Sequence, residues 1–357
     1  MQTAAEARPA AMPRRFIRAG LTPPLNIAVV GATGAVGGAM VSCLERRGLP
    51  VASLRLYASE RSAGRRIAFR GEQLPVQPLT DAAFDGVDLA LFAASAQVAR
   101  RFAPEAVRRG AVVIDNSSAF RMDPSTPLVV PEVNGEAALG HDGVIANPNC
   151  CAAIAVMALW PLHAVNPVRR VIAATYQAAS GAGAEAMDEL WSSTEAYIHG
   201  RPFRPRVMAH PYAFNLFSHD SPVDLESGSN EEETKVAQEL RKLMDAPDLL
   251  VGVTCVRAPV LRAHCIALTV ECERPISPDE ALALLSAARG VRIVNDAAAN
   301  RFPMPSEASG RDEILVGRIR RDQSDPSGRS IALFVAGDQL LKGAALNAVQ
   351  IAERLIL

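Results

Sequence analysis

Over the first part of the chain, short apolar runs ending in glycine or polar turns alternate with stretches whose apolar positions recur every three to four residues. The first run, residues 25–30, ends at Gly31 and reads as a buried strand, and residues 35–47 follow with helical spacing. Strands are predicted at 53–58, 87–93 and 111–115, with a helix at 104–109 between the last two. Strands alternating with helices fold as a parallel, doubly wound α/β sheet. After Asn149 the pattern changes. A helix is predicted from Cys150 or Cys151 to Trp160, closed by Pro161, then a strand at 168–177 and a long helix at 184–198. A loop region with several prolines occupies 200–229 and a charged helix 231–244. Strands at 250–257, 263–273 and 331–336 complete an α+β second part, and a final amphipathic helix at 344–356 is expected to pack back on the first. No internal repeat or low-complexity segment interrupts this order.

At 357 residues the chain is long for one hydrophobic core, so two domains are expected, 25–149 joined by about 337–357, and 150–336. Apolar residues make up 49% and charged residues 21%, enough to bury a sizeable core. A net charge of −1 gives no reason to expect nucleic acid or an anionic membrane as partner, so any anionic ligand must be held by local cations. The six cysteines form no CxxC pair and no zinc-like spacing with histidine, which points to a reducing compartment and to no metal site. The longest strongly apolar stretch, 150–160, is too short to span a bilayer. Residues 1–24 are rich in Ala, Arg and Pro with Glu6 the only acid; they read as a tail, with a short organelle-targeting segment as the alternative, and Met12 as a second possible start.

Gly31, Thr33, Gly34, Ala35, Val36 and Gly37 lie directly after a buried strand and at the start of a helix. Glycines there let the backbone turn tightly and approach a pyrophosphate, whose charge meets free N–H groups and the helix dipole. The end of the second strand discriminates between dinucleotides. A carboxylate there suits the ribose hydroxyls of NAD, whereas Arg61 between Ser59 and Ser62 suits a 2′-phosphate and favours NADP; Glu60 is the contrary residue, and a solvated charged turn is the plain alternative.

Asn147, Pro148 and Asn149 precede Cys150 at the head of an apolar helix, where exposed N–H groups and the dipole favour the nucleophilic thiolate. Cysteine is more often an inert buried residue, but this polar run argues against a featureless core. Of the six histidines, His264 is the best acid/base partner, lying between two strands with Arg257 and Arg262 near it in sequence. Those cations imply a site for an anion. Glu231, Glu232 and Glu233, followed by Lys235, read by themselves as a solvated helix start, with Glu232 and Lys235 an ordinary surface pair.

Residues 31–37, 115–122, 147–150, 175–183, 257–264 and 342–347 together resemble the aspartate-β-semialdehyde dehydrogenase family, and the likeness runs from about Leu25 to Leu357. Several motifs in the right order are more specific than any one. The resemblance implies an N-terminal Rossmann-like NADP-binding domain and an α+β catalytic and dimerisation domain. It makes Cys150 the nucleophile and His264 the acid/base catalyst, with Gln177 positioning the reacting group. Arg257 would then pair with the substrate α-carboxylate and Glu232 with its α-ammonium, while Arg121 and Lys235 bind the phosphoryl group and Asn149 lies at the substrate. This overrules the solvated reading of Glu232. Ser180, Gly181 and Gln339 would join the glycine turn and Ser59, Arg61 and Ser62 at the cofactor. The implied reaction is reduction of aspartyl-β-phosphate to the semialdehyde through a thioester on Cys150, by a cytoplasmic homodimer or homotetramer, or a plastid enzyme if residues 1–24 are a targeting segment.

The chain departs from the family pattern at Cys151 and Ala152, where many relatives carry Ser and Thr, and at residues 92–97, which replace a glycine-richer loop near the nicotinamide. Gln339 stands where Asn is frequent. Alternatives are another acyl-phosphate reductase, such as N-acetyl-γ-glutamyl-phosphate reductase, or a non-catalytic paralogue acting as a binding partner. The former's substrate has no ammonium for Glu232 to hold. A glyceraldehyde-phosphate dehydrogenase would share the Cys and His chemistry but not the sequence around Cys150.

Overall fold

The computed structural model describes residues 20–356, so the tail and targeting readings fall outside them up to residue 19. The first sheet is built from β1 (Leu25–Val30), β2 (Val51–Ala58), β3 (Arg66–Phe69), β4 (Glu72–Pro78), β5 (Leu89–Phe92), β6 (Val112–Asp115) and β7 (Val144–Ala146). Their order is β3-β4-β2-β1-β5-β6-β7, parallel throughout except for the β3/β4 edge hairpin. Leu25, Ile27 and Val29 pack with the helices Ala35–Arg46 and Leu346–Leu355, while Ala28 and Val30 pack with the helix Ala96–Arg108. Burial on both faces explains why β1 reads as a nearly unbroken apolar run. Strand order reverses at β1, which leaves a crevice beyond its carboxyl end, beside Gly31.

The second sheet comprises β8 (Val168–Gln177), β9 (Phe217–Ser218), β10 (Leu250–Arg257), β11 (His264–Cys272), β12 (Val291–Ile293), β13 (Ile314–Arg321) and β14 (Ser330–Gly337), ordered β12-β13-β14-β11-β8-β10-β9. It is mixed, with β8 and β10 parallel and β11 antiparallel to both β8 and β14. One face packs on the helix Cys150–His163, flanked by the helices Glu231–Leu243 and Pro278–Ala287. The other face is closed at one end, where Cys265, Leu315 and Ala336 pack with Ala308, and is open over β8 and β10. Ile172, Tyr176 and Leu250 are exposed there, and the helix Ala184–Ile198 leaves Trp191, Tyr197 and Ile198 each about two-thirds exposed. So large an uncovered apolar area marks an interaction surface.

Several predicted elements differ. The helix expected at 104–109 spans Ala96–Arg108 with Pro104 inside it; Ser95 caps it through Val98 N–H at 3.4 Å, and its buried face is largely alanine, which carries little apolar signal. Pro161 does not close the helix Cys150–His163, because burial around Cys151 to Leu159 outweighs one lost backbone donor. The last helix begins at Leu346, after a π-helical turn over Leu341–Ala345. β3, β4, β7, β12, β13 and the helix Pro278–Ala287 were not anticipated by the hydrophobic pattern.

Candidate active site

Asn149 caps the helix Cys150–His163: its side-chain oxygen accepts from Cys151 N–H at 2.9 Å and Ala152 N–H at 3.2 Å. Cys150 is thus the first helical residue, where the dipole favours a negative sulfur. A hydrogen bond from the Cys151 thiol lowers the Cys150 pKa most; burial opposes it, His264 and Arg121 lower it further, and the outcome lies well below the usual thiol range. Burial pushes the Cys151 thiol up. The hydroxyls absent at Cys151 and Ala152 are not needed for capping, since Asn149 supplies it.

The sulfurs of Cys150 and Cys151 and an imidazole nitrogen of His264 lie within 4.8 Å of one another. His264 opens β11 and is fully buried. It follows Ala263, which has a left-handed φ of +74° and donates its N–H to Gln339 Oε1 at 3.0 Å. Ala178 N–H donates to His264 Nδ1 at 3.0 Å, so that nitrogen carries no proton and Nε2 does. Among the described residues Nε2 is buried without a partner. It offers the site an N–H rather than a lone pair, which suits a developing oxyanion and opposes metal ligation by this cluster.

Arg257 ends β10; its Nε donates to Asp220 Oδ1 at 3.0 Å, and its Nη2 pairs with the same oxygen at 3.0 Å. Burial raises the Asp220 pKa, but the charge and hydrogen bonds of Arg257 outweigh it and keep the carboxyl below its usual range. Arg257 Nη1 remains buried and has no partner among the described residues. Both orphan donors face Gly181. A Cβ there would lie 2.9 Å from His264 Nε2 and 3.3 Å from Arg257 Nη1, so only glycine leaves the space between them open.

Glu232 Oε1 accepts from Asn149 Nδ2 at 2.8 Å and Gln177 Nε2 at 3.1 Å, while Gln177 Oε1 accepts from Thr175 Oγ1 at 3.1 Å. The second oxygen of Glu232 has no donor among the described residues. The surface pair read from sequence is corrected: Lys235 pairs with Glu231 at 2.9 Å, and Glu232 turns inward with Val236 and Leu240. Arg121 is buried and donates from Nε to Asn147 O (2.9 Å), from Nη2 to Asn116 O (2.7 Å) and from Nη1 to Glu239 (3.0 Å). A cavity of about 330 Å³ joins Cys150, Arg121, Glu232, Lys235 and Arg257 to Val36 of the glycine turn.

That turn fits a dinucleotide. Gly31 has φ +84°, and a Cβ on it would lie 2.3 Å from Ala93 O; one on Gly37 would lie 2.1 Å from Gly31 O. Gly34 precedes Ala35 without a side-chain cap, which leaves first-turn N–H groups free beside Thr33. Ser59, Arg61 and Ser62 follow the carboxyl end of β2, and Arg61 is exposed with no ion pair among the described residues. Ser180 and Gln339 are buried and hydrogen-bonded to each other while lining the cavity. The loop read at 92–97 shrinks to 93–95, since Phe92 ends β5 and Ala96 opens a helix.

Asp220, His219 and Glu239 carry no expectation from the sequence. The first two lie in the proline-rich loop, which has no periodicity to read. Glu239 carried a signal: it shares a helical face with Glu232, Val236, Leu240 and Leu243, all buried.

Two family models match, a semialdehyde dehydrogenase NAD-binding domain over residues 26–141 and a semialdehyde dehydrogenase dimerisation domain over 159–342. The chain is 48% identical over 333 residues to aspartate-semialdehyde dehydrogenase of Synechocystis sp., covering 93% of this chain and 98% of that protein. It is 44% identical over 339 residues to the Bacillus subtilis enzyme, covering 93% and 97%. Aspartate semialdehyde dehydrogenase II of Vibrio cholerae, solved in complex with ASA, superposes with a TM-score of 0.90 at 39% identity, covering 94% and 98%. The chain belongs to the aspartate-semialdehyde dehydrogenase family, oxidoreductases that pair a nicotinamide-dinucleotide domain with a dimerisation domain.

Proposed function

We propose that the chain carries out the NADPH-dependent reductive dephosphorylation of L-aspartyl-4-phosphate to L-aspartate-4-semialdehyde, a step of aspartate-family amino-acid biosynthesis, with Cys150, His264 and Gln177 at the reacting carbon. The observation that carries the assignment is the pair of unpartnered buried donors, His264 Nε2–H and Arg257 Nη1–H, facing the gap over Gly181 beside an acidified thiol. Cys150 sulfur attacks the acyl carbon and the C–O bond to phosphate breaks, leaving a thioester and inorganic phosphate beside Arg121 and Lys235. His264 Nε2–H donates to the carbonyl oxygen as it gains charge. Arg257 Nη1 meets the α-carboxylate, the free oxygen of Glu232 the α-ammonium, and Gln177 and Asn149 hold Glu232 in place. NADPH, when bound at the glycine turn, supplies hydride to the thioester carbon. The sulfur then leaves as thiolate and the aldehyde is released.

NADP is favoured over NAD by the unpaired Arg61 between Ser59 and Ser62. The division into a dinucleotide-binding part (25–149 with 337–357) and a catalytic part (150–336), assembly as a homodimer through the open apolar face, and a cytoplasmic location belong to the same reading. No helix among the described residues is long and apolar enough to cross a membrane. The test is phosphate-dependent reduction of NADP with aspartate semialdehyde, run beside NAD and beside N-acetylglutamate semialdehyde. Cys150→Ala should abolish turnover without lowering the melting temperature; an active Cys150→Ala enzyme, or preference for the N-acetylated aldehyde, rejects the assignment.

A further inference from the structure

Glu239 stands on the buried face of the helix Glu231–Leu243 with 1% of its surface exposed. One carboxylate oxygen accepts from Arg121 Nη1 at 3.0 Å, and the other accepts from the backbone N–H of Asn149 at 2.5 Å. The two donors belong to different parts of the site. Arg121 is the cation assigned to the phosphoryl group, and Asn149 is the cap whose next residue is the nucleophile. A single carboxylate therefore spans the two ends of the bond that breaks.

Arg121 has five N–H groups. Three are engaged by Asn147 O, Asn116 O and Glu239, leaving one hydrogen on each terminal nitrogen of a guanidinium that lines the cavity. Two N–H groups on one guanidinium suit a phosphoryl group. Asn149 is likewise fixed at both ends, its backbone by Glu239 and its amide by Glu232.

We propose that Glu239 is a positioning residue that locks Arg121 to the N-cap of the nucleophile's helix, so that a phosphoryl group held by Arg121 sits at a set distance from Cys150 sulfur. The proposal rests on the assignment of Arg121 to phosphate. Burial raises the Glu239 pKa, opposed by the Arg121 charge and the Asn149 N–H. A protonated carboxyl would keep fewer acceptor sites for these two donors, which places the lock among the groups lost as pH falls.

The experiment is steady-state kinetics of Glu239→Gln in the full-length enzyme, in the direction that consumes inorganic phosphate. The amide keeps the shape but turns an NH₂ toward one of two donors, so that one contact becomes a repulsion. The KM for phosphate should rise tenfold or more, while the KM values for semialdehyde and NADP stay within about threefold. Glu239→Asp, which keeps the charge but is a methylene too short to reach both donors, should show the same selective rise and serves if the glutamine variant does not fold. A lock acting through Arg121 also predicts that Arg121→Ala with Glu239→Gln is no worse for phosphate than Arg121→Ala alone. Wild-type phosphate KM in both Glu239 variants, or an even rise in all three KM values, would overturn the lock while Arg121→Ala still raises phosphate KM. An Arg121→Ala enzyme with unchanged phosphate KM would overturn the phosphate assignment and the lock together.

Discussion

Replacing Gly181 with alanine adds a single methyl group where the site has no room. The new carbon would lie 2.8 Å from His264 Cε1, 2.9 Å from Nε2 and 3.3 Å from Arg257 Nη1. Ordinary carbon contacts begin near 3.5 Å, so the ring must move by about half an ångström or more. It cannot retreat freely, because Nδ1 is tied to Ala178 N–H and the residue is fully buried at the start of β11. Gly181 does not sit in the left-handed region, so the methyl group costs little backbone strain and the fold should persist. Misplacing a reacting group by this order of distance costs about 100-fold in rate, about 2.7 kcal/mol of barrier. Turnover of semialdehyde with saturating NADP and phosphate measures it, with the melting temperature as control. A Gly181→Ala enzyme with normal turnover would mean that His264 Nε2 does not meet the substrate over this glycine.

The remaining expectations concern the thiol, the cofactor and assembly. Burial apart, the Cys151 thiol, His264 and Arg121 hold the Cys150 pKa well below the usual thiol range, so its thiolate is present above that lowered value and is lost as pH falls through it; the rate of inactivation by iodoacetamide should fall through a midpoint well below that of an ordinary thiol. A midpoint at the ordinary thiol pKa would contradict this, and Cys151→Ala should move the midpoint upward. Arg61→Ala removes charge-assisted hydrogen bonds worth about 1.5–3 kcal/mol, so the KM for NADP should rise roughly ten- to hundredfold while NAD kinetics barely change. Glutamate at both Trp191 and Tyr197 puts charge into the exposed apolar face, and sedimentation velocity should then show a monomer; an unchanged sedimentation coefficient would place the interface elsewhere.

Legibility in the sequence followed burial. β1, β8 and β10, and the helix Ala184–Ile198, were read from apolar spacing because each buries a regular face. The β3/β4 hairpin was not, since Arg66–Phe69 and Glu72–Pro78 form an exposed edge with prolines at 75 and 78, and its turn rests on Arg70 and Gly71 at φ +50° and +82°. β13 hides its alternation behind a register shift between Gly317 and Arg320, where Arg318 has φ +56°. The helix Pro278–Ala287 was not read either, although Ser277, which accepts from Glu280 N–H at 3.1 Å, and Pro278 in the first turn form a start signal independent of periodicity. At the site, the glycine turn, Cys150 and His264 were legible as types in context. Glu239 and Asp220 were not, because a carboxylate's burial depends on which arginine the fold brings to it.

The same spacing that builds the core also aims the chemistry. Val171, Ala173, Thr175 and Gln177 share one parity along β8, and the first two belong to the hydrophobic core. Val251, Val253 and Cys255 lead to Arg257 along β10, and His264 begins the column of Ile266, Leu268 and Val270 along β11. Gln177 is the register partner of Arg257, and β11 runs antiparallel, so its first residue reaches the same edge. Each polar group is thus the terminal position of an apolar column. Slipping any of these strands by one residue would turn its core residues to solvent and its functional residue to the open face with them. The hydrophobic energy that fixes register therefore fixes the separation of His264, Arg257 and Gln177, and the loop residues Gly181 and Asp220 need only complete a geometry that the sheet has already set.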